Sequence, residues 1–144
     1  MNNIFNMTLN GAPTKKPREK DDFYPTRWEP TIALIRYYRE IIGRGPVHEP
    51  ACGDGAMSKL FIMNGIQTFS TDLIDRGFGT SEIDFLTMPA DRYARGKFKI
   101  ITNPPFKHWD EFAVKAHELE APFIAFFAKQ TIWNAKKRLK LYRE

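Results

Sequence analysis

The sequence predicts an α/β fold, a single domain with a mostly parallel sheet flanked by helices, and three observations carry that expectation. Short apolar runs alternate along the chain with segments of helical apolar spacing, as strand, crossover and parallel strand require. A short strand at Val47 passes through Gly53 and Gly55 into an apolar-periodic helix that stops at Asn64-Gly65. A second apolar run, Phe98-Lys99-Ile100-Ile101, is closed soon after by Asn103-Pro104-Pro105-Phe106, whose prolines keep a helix from starting and hold an amide and a ring at the strand's carboxyl end. At 144 residues and 42% hydrophobic content the chain buries one sizeable core and is too short to divide.

The elements follow in order. Residues 1–21 read as an irregular, flexible leader with a basic cluster of Lys15, Lys16, Arg18 and Lys20, and residues 22–144 as the domain. An extended segment at 23–26 leads to a helix over about 30–42, where Ile32, Ile35, Tyr38 and Ile42 keep helical spacing and Gly43 ends it. The first strand, the glycine loop and a helix to Asn64 come next, then a second strand, Thr68-Phe69-Ser70-Thr71-Asp72. A loop at Arg76-Gly77-Phe78-Gly79 precedes a short third strand at 81–85, and 91–96 is a weak helical or turn segment. The fourth strand carries Asn103. A helix over about 109–120 presents Phe112, Ala116 and Leu119 on one face and is closed by Pro122. The fifth strand, 123–128, is apolar throughout, as a strand covered on both faces should be. A last helix spans about 131–142, with Ile132, Ala135, Leu139 and Tyr142 on one side.

Ligands of open parallel sheets bind at the carboxyl ends of the strands. The Asn103 side-chain oxygen and a neighbouring backbone carbonyl can there accept hydrogen bonds from an amine, while Phe106 stacks on the flat ring that bears it. The glycine loop, Glu49-Pro50-Ala51-Cys52-Gly53-Asp54-Gly55, is not a dinucleotide fingerprint, because Ser58 stands where the third glycine would be, and it lacks the Gly-Lys-Ser/Thr ending of a phosphate loop. Asp72 follows Glu49 by twenty-three positions, close to the roughly 20-residue offset at which a carboxylate meets ribose hydroxyls. Asp72 and Asp84 also suit helix caps or solvated strand ends, and Tyr24 can simply pack the leader on the core. Cys52 reads as a small buried residue, and His48, His108 and His117 show no metal-ligand spacing, so no metal site is expected.

Glu-Pro-Ala-Cys-Gly-Asp-Gly, Thr71-Asp72-Leu73, Asp84-Phe85 and Asn-Pro-Pro-Phe, in that order, resemble the class I S-adenosylmethionine-dependent methyltransferases. More narrowly, the pattern is similar to adenine-N6 DNA methyltransferases, including short phage-encoded ones. Asp21-Asp22-Phe23-Tyr24-Pro25-Thr26 resembles the motif ahead of that group's first helix, although Arg27-Trp28 replaces the usual Pro-containing continuation. The resemblance covers about 21–129 and implies a Rossmann-like domain with S-adenosylmethionine as cofactor. It assigns Glu49, Gly53 and Gly55 to the cofactor loop, the two glycines at the methionine portion. Asp72 falls to the ribose, Asp84 to the adenine amine, and Tyr24 with Thr26 to the amino-acid end. Asn103, Pro104, Pro105 and Phe106 become the catalytic motif, acting on an exocyclic amine by direct methyl transfer, with N6 of adenine in DNA favoured. RNA bases or a protein glutamine amide suit the same motif, and a noncatalytic partner subunit is a further alternative.

Charge and length add to this. Six basic residues from Lys129 onward (Lys129, Lys136, Lys137, Arg138, Lys140 and Arg143) face one acid, Glu144, and account for the whole net charge of +5. Such a segment suits DNA phosphates, or is a solvated helix face. No run approaches the roughly 20 apolar residues of a membrane span and the first residues do not form a signal peptide, so a cytoplasmic setting, in a bacterial or phage-infected cell, is expected. The resembled family completes its sheet with an antiparallel hairpin for which this chain has no residues left. An exposed fifth-strand edge is then expected to self-associate or pair with a partner chain, the alternative being a shortened relative with impaired activity.

Overall fold

The structure is a computed structural model and describes residues 24–90, 93 and 95–128. Within them an all-parallel, four-stranded sheet of order β2-β1-β3-β4 is flanked by helices. The strands are β1 (Val47–Glu49), β2 (Thr68–Ser70), β3 (Lys99–Thr102) and β4 (Ile124–Phe126), and the helices α1 (Trp28–Tyr37), α2 (Arg39–Ile42), α3 (Ala56–Met63) and α4 (Trp109–Glu118). Val47 pairs with Thr68 on one side and Lys99 on the other, and Ile100 pairs with Ile124. From β1 the chain moves outward to β2, then crosses back to β3 on β1's far side. The strand order therefore reverses between β1 and β3, the place at which such sheets open a crevice.

Period-2 alternation sorts side chains between the two faces. Val47, Ile101 and Ala125 pack with Ile35, Ile42, Met57 and Phe61 from α1, α2 and α3. Ile100, Ile124 and Phe126 pack with Phe112, Ala116 and Leu119 from α4 and with Phe85 and Tyr93. Lys99 interrupts an apolar run without harm, because its ammonium donates to the carbonyls of Arg44 and Gly45 while its stem is buried.

Several expectations need correction. The helix drawn over 30–42 begins at Trp28 and breaks at Tyr38, whose φ of −115° and ψ of 23° leave the helical region, giving α1 and a separate α2. Pro30 is accommodated inside α1 because the first turn needs no amide donor there. The third strand at 81–85 does not form. Thr71 and Thr80 share one isolated parallel bridge, Glu82 takes a left-handed φ of 61°, and Asp84 Oδ1 accepts from the Leu86 N–H to start a 3-10 turn at Phe85–Thr87. A left-handed residue and a cap together end any extended run. The apolar segment 123–128 is a strand only at Ile124–Phe126, and these residues are half-buried, without full cover on both faces. The leader expected at 1–21, the helix expected over 131–142 and the basic residues from Lys129 onward lie outside the described residues, and of the segment read at 91–96 the described part joins a turn at 95–97.

Candidate functional site

A cleft of about 330 Å³ opens at the carboxyl ends of the strands, where the order reverses. The segment after β1 contributes Pro50 to Asp54, the one after β2 contributes Asp72 to Ile74, the 3-10 turn brings Asp84 and Phe85, and the segment after β3 brings Asn103 to His108. Tyr24, Pro25 and Thr26 close it from the chain's beginning.

The glycine loop is shaped by two left-handed residues. Gly53 has φ 56° and donates its N–H to Asp72 Oδ2 at 2.8 Å, while Asp72 Oδ1 accepts from the Ile74 N–H at 2.9 Å. The carboxylate at the end of β2 thus clamps the β1 loop and its own, and it still lines the cleft. Gly55 caps α3 at φ 80° and does not line the cleft; a Cβ there would overlap the Phe78 ring. Gly55→Ala is expected to cost about 1–2 kcal/mol from the backbone conformation alone, more because the ring must move. Urea unfolding of Gly55→Ala, Phe78→Ala and the double variant checks this: part of the loss should be recovered in the double variant, and strict additivity would rule out the clash.

Glu49 also points away from the cleft. Its side chain is buried and bonds the Ser58 hydroxyl on α3, which lies 2.6 Å from Ser70 Oγ on β2. Burial, with help from the negative charges of Asp72 and Asp54 and against the Ser58 hydrogen bond, pushes its pKa up to about 8. It is a neutral latch between α3 and the sheet. His48, one residue earlier and on the other face, bonds Tyr93 Oη at 2.7 Å and Thr71 Oγ1 at 2.9 Å among the rings of Phe69, Phe85 and Phe98. Burial lowers its pKa to about 3, so it is a neutral core imidazole. Cys52 lines the cleft floor but is buried, and desolvation followed by the charges of Glu49 and Asp72 pushes its thiol up to about 12, far from nucleophilic.

Asp84 Oδ1 caps the 3-10 turn, and Oδ2 has no partner among the described residues. Asn103 sits just beyond β3. Its Nδ2 donates to Thr26 Oγ1 at 3.1 Å and to the Tyr24 carbonyl at 3.3 Å. Pro104 is buried behind it, and the Phe106 ring, on the turn into α4, stands 5.7 Å from Tyr24, tilted by 38°. Of the residues singled out from sequence, Tyr24, Thr26, Gly53, Asp72, Asp84, Asn103, Pro104, Pro105 and Phe106 meet in this cleft, while Glu49 and Gly55 support it from behind.

Sequence reasoning missed the apolar wall of Leu73, Ile74, Ile83 and Leu86, whose signal was adjacency to the two carboxylates, and the cations Arg76 and Lys107. Among the described residues no three His, Cys, Asp or Glu side chains group to hold a metal ion, and no helix is long and apolar enough to cross a membrane. Compared with protein-family models, curated proteins and solved structures, the chain finds no match.

Proposed function

We propose that this chain is a Rossmann-like methyltransferase that uses S-adenosylmethionine to methylate an exocyclic amino nitrogen, with N6 of adenine in DNA as the favoured acceptor. The observation that carries the reading is the meeting, in one cleft at the strand-order reversal, of Gly53, Asp72, Asp84 and the Asn103-Pro104-Pro105-Phe106 segment. The residues fit such a cofactor. The cleft volume lies within the range of small-molecule sites. Asp84 retains a carboxylate oxygen with no partner among the described residues, and Asp72 oxygens that already accept one N–H each can accept a hydroxyl as well. Gly53 offers backbone with no side chain in the way, and the apolar wall suits the faces of a purine.

When bound, S-adenosylmethionine supplies an electrophilic methyl group. The chain's own task is to align an amine and make it a better nucleophile. Adenine N6 is a weak one because its lone pair is delocalised into the ring. Asn103 Oδ1 and the Pro104 carbonyl, accepting both amine hydrogens, favour a more tetrahedral nitrogen and stabilise the positive charge that grows on it. Phe106 offers a face on which a base swung out of its stack can lie. Pro104 and Pro105 hold these groups still, because their φ angles are locked.

The test is incubation of the purified protein with methyl-labelled S-adenosylmethionine and, separately, unmethylated DNA, RNA or protein extract, followed by digestion. Label in N6-methyladenine from DNA is the expected result. Label in RNA or in methylglutamine moves the substrate, and label nowhere removes the enzymatic reading.

A further inference from the structure

We infer that Thr26 is a positioning residue for Asn103, holding its amide so that Oδ1 rather than Nδ2 is presented to the acceptor amine. The inference rests on the methyltransferase reading and deepens it, because the sequence resemblance had assigned Thr26 to the cofactor. Two oxygens receive the Asn103 Nδ2 group, Thr26 Oγ1 at 3.1 Å and the Tyr24 carbonyl at 3.3 Å. Both belong to a short segment whose backbone is stiffened by Pro25 between them. The two ends of a planar amide lie on opposite branches, so tying the nitrogen to this segment directs the oxygen elsewhere. The Tyr24 carbonyl can only accept, and it therefore selects the sense of the amide. Turning the group over would set oxygen against oxygen. The Thr26 hydroxyl makes the shorter contact and holds the amide plane against rotation about the last side-chain bond. Without it, Asn103 would spend part of its time with a donor facing an amine that itself donates, a pairing that cannot bind.

The contact also ties the two ends of the site together. The tilted Tyr24 and Phe106 rings lie on the same segments as the hydrogen-bonded pair, so the acceptor side of the cleft has a second aromatic wall contributed by the chain's beginning. A segment that bonds the catalytic amide and faces the stacking ring belongs to the acceptor side.

The test compares Thr26→Val, which keeps the shape and loses the hydroxyl, with Thr26→Ser, which keeps the hydroxyl. At saturating cofactor, Thr26→Val is expected to lower kcat about tenfold, the scale of one lost hydrogen bond, and Thr26→Ser by no more than about twofold, with S-adenosylmethionine Kd changed less than about twofold in both. Nitrogen-15 NMR gives a readout independent of turnover: the Asn103 side-chain NH2 should exchange slowly in the wild type and in Thr26→Ser, and faster in Thr26→Val. Thr26→Ala serves in the same way should the valine variant not fold. A tenfold weaker cofactor Kd with unchanged kcat would return Thr26 to the cofactor side and overturn the inference. A wild-type protein that transfers no methyl group defeats the methyltransferase reading and the positioning role with it. A wild type that transfers, matched in rate and NH2 exchange by Thr26→Val, defeats this inference alone.

Discussion

Asn103→Ala is expected to lower methyl transfer about 10²–10³-fold, the scale of losing one preorganised group aimed at developing charge, while S-adenosylmethionine binds almost as before. The two quantities separate because Asn103 lies after β3, whereas the glycine loop, Asp72 and Asp84 come from the segments after β1 and β2. The substitution removes an acceptor for the amine hydrogens and leaves the clamp of Asp72 on the Gly53 and Ile74 N–H groups untouched. It also frees the Tyr24 to Thr26 segment, which lies on the acceptor side, so the loss falls on transfer. Single-turnover rates with labelled cofactor, beside equilibrium binding of S-adenosylmethionine, make the measurement. Equal loss of both would mean that Asn103 acts through the cofactor site, and the catalytic assignment would fall.

The stability of the fold is expected to show a plateau between about pH 4.5 and 6.5 with a falling flank on each side, because two adjacent residues of β1 titrate abnormally in opposite senses. The folded Glu49 carboxyl keeps its proton to about pH 8, whereas the unfolded one loses it near 4.5, so its contribution is complete below 4.5 and is lost as pH rises toward 8. The folded His48 ring stays neutral down to about pH 3, whereas the unfolded one is protonated below 6.5, so its contribution is complete above 6.5 and is lost as pH falls toward 3. Between 4.5 and 6.5 the folded pair holds one proton, on Glu49, and the unfolded pair also holds one, on the histidine. The slopes cancel there.

Outside that window one proton separates the states, giving a slope of about 1.4 kcal/mol per pH unit and a loss of roughly 2 kcal/mol by pH 8 or by pH 3. Urea unfolding at half-unit steps of pH measures it. Glu49→Gln should keep the contact with Ser58, flatten the alkaline flank and, with nothing left to offset His48, start the acid fall near pH 6.5 instead of 4.5. An unchanged alkaline flank in that variant would show that Glu49 is ionised in the fold and that its burial is compensated some other way.

Much of this architecture was legible in the chain itself. Apolar runs separated by helical spacing placed β1, α3, β2, β3, α4 and β4 in the right order, because burial on a sheet face and burial on a helix stripe leave different periods. The glycine loop and the prolines at 104 and 105 were legible for the same reason, since turn and strand-end geometry depends on a residue's own backbone restrictions. The third strand was not. Residues 81–85 have a composition that tolerates a strand, and it was the left-handed Glu82 and the Asp84 cap that made them a bridge and a turn.

The sharper difference concerns direction. The resemblance put Glu49 and Thr26 on the cofactor; the pairing of β1 between β2 and β3 turns the Glu49 side chain toward Ser58 on α3, whereas Thr26 lines the cleft and there meets an asparagine 77 positions later. The sequence by itself determined which chemical groups stand at the ends of the strands, because local turns and periodicity do that. Only the tertiary structure decided which way Glu49, Thr26 and Asn103 face and what they touch, because those contacts are made between segments far apart in the chain and depend on how the sheet pairs.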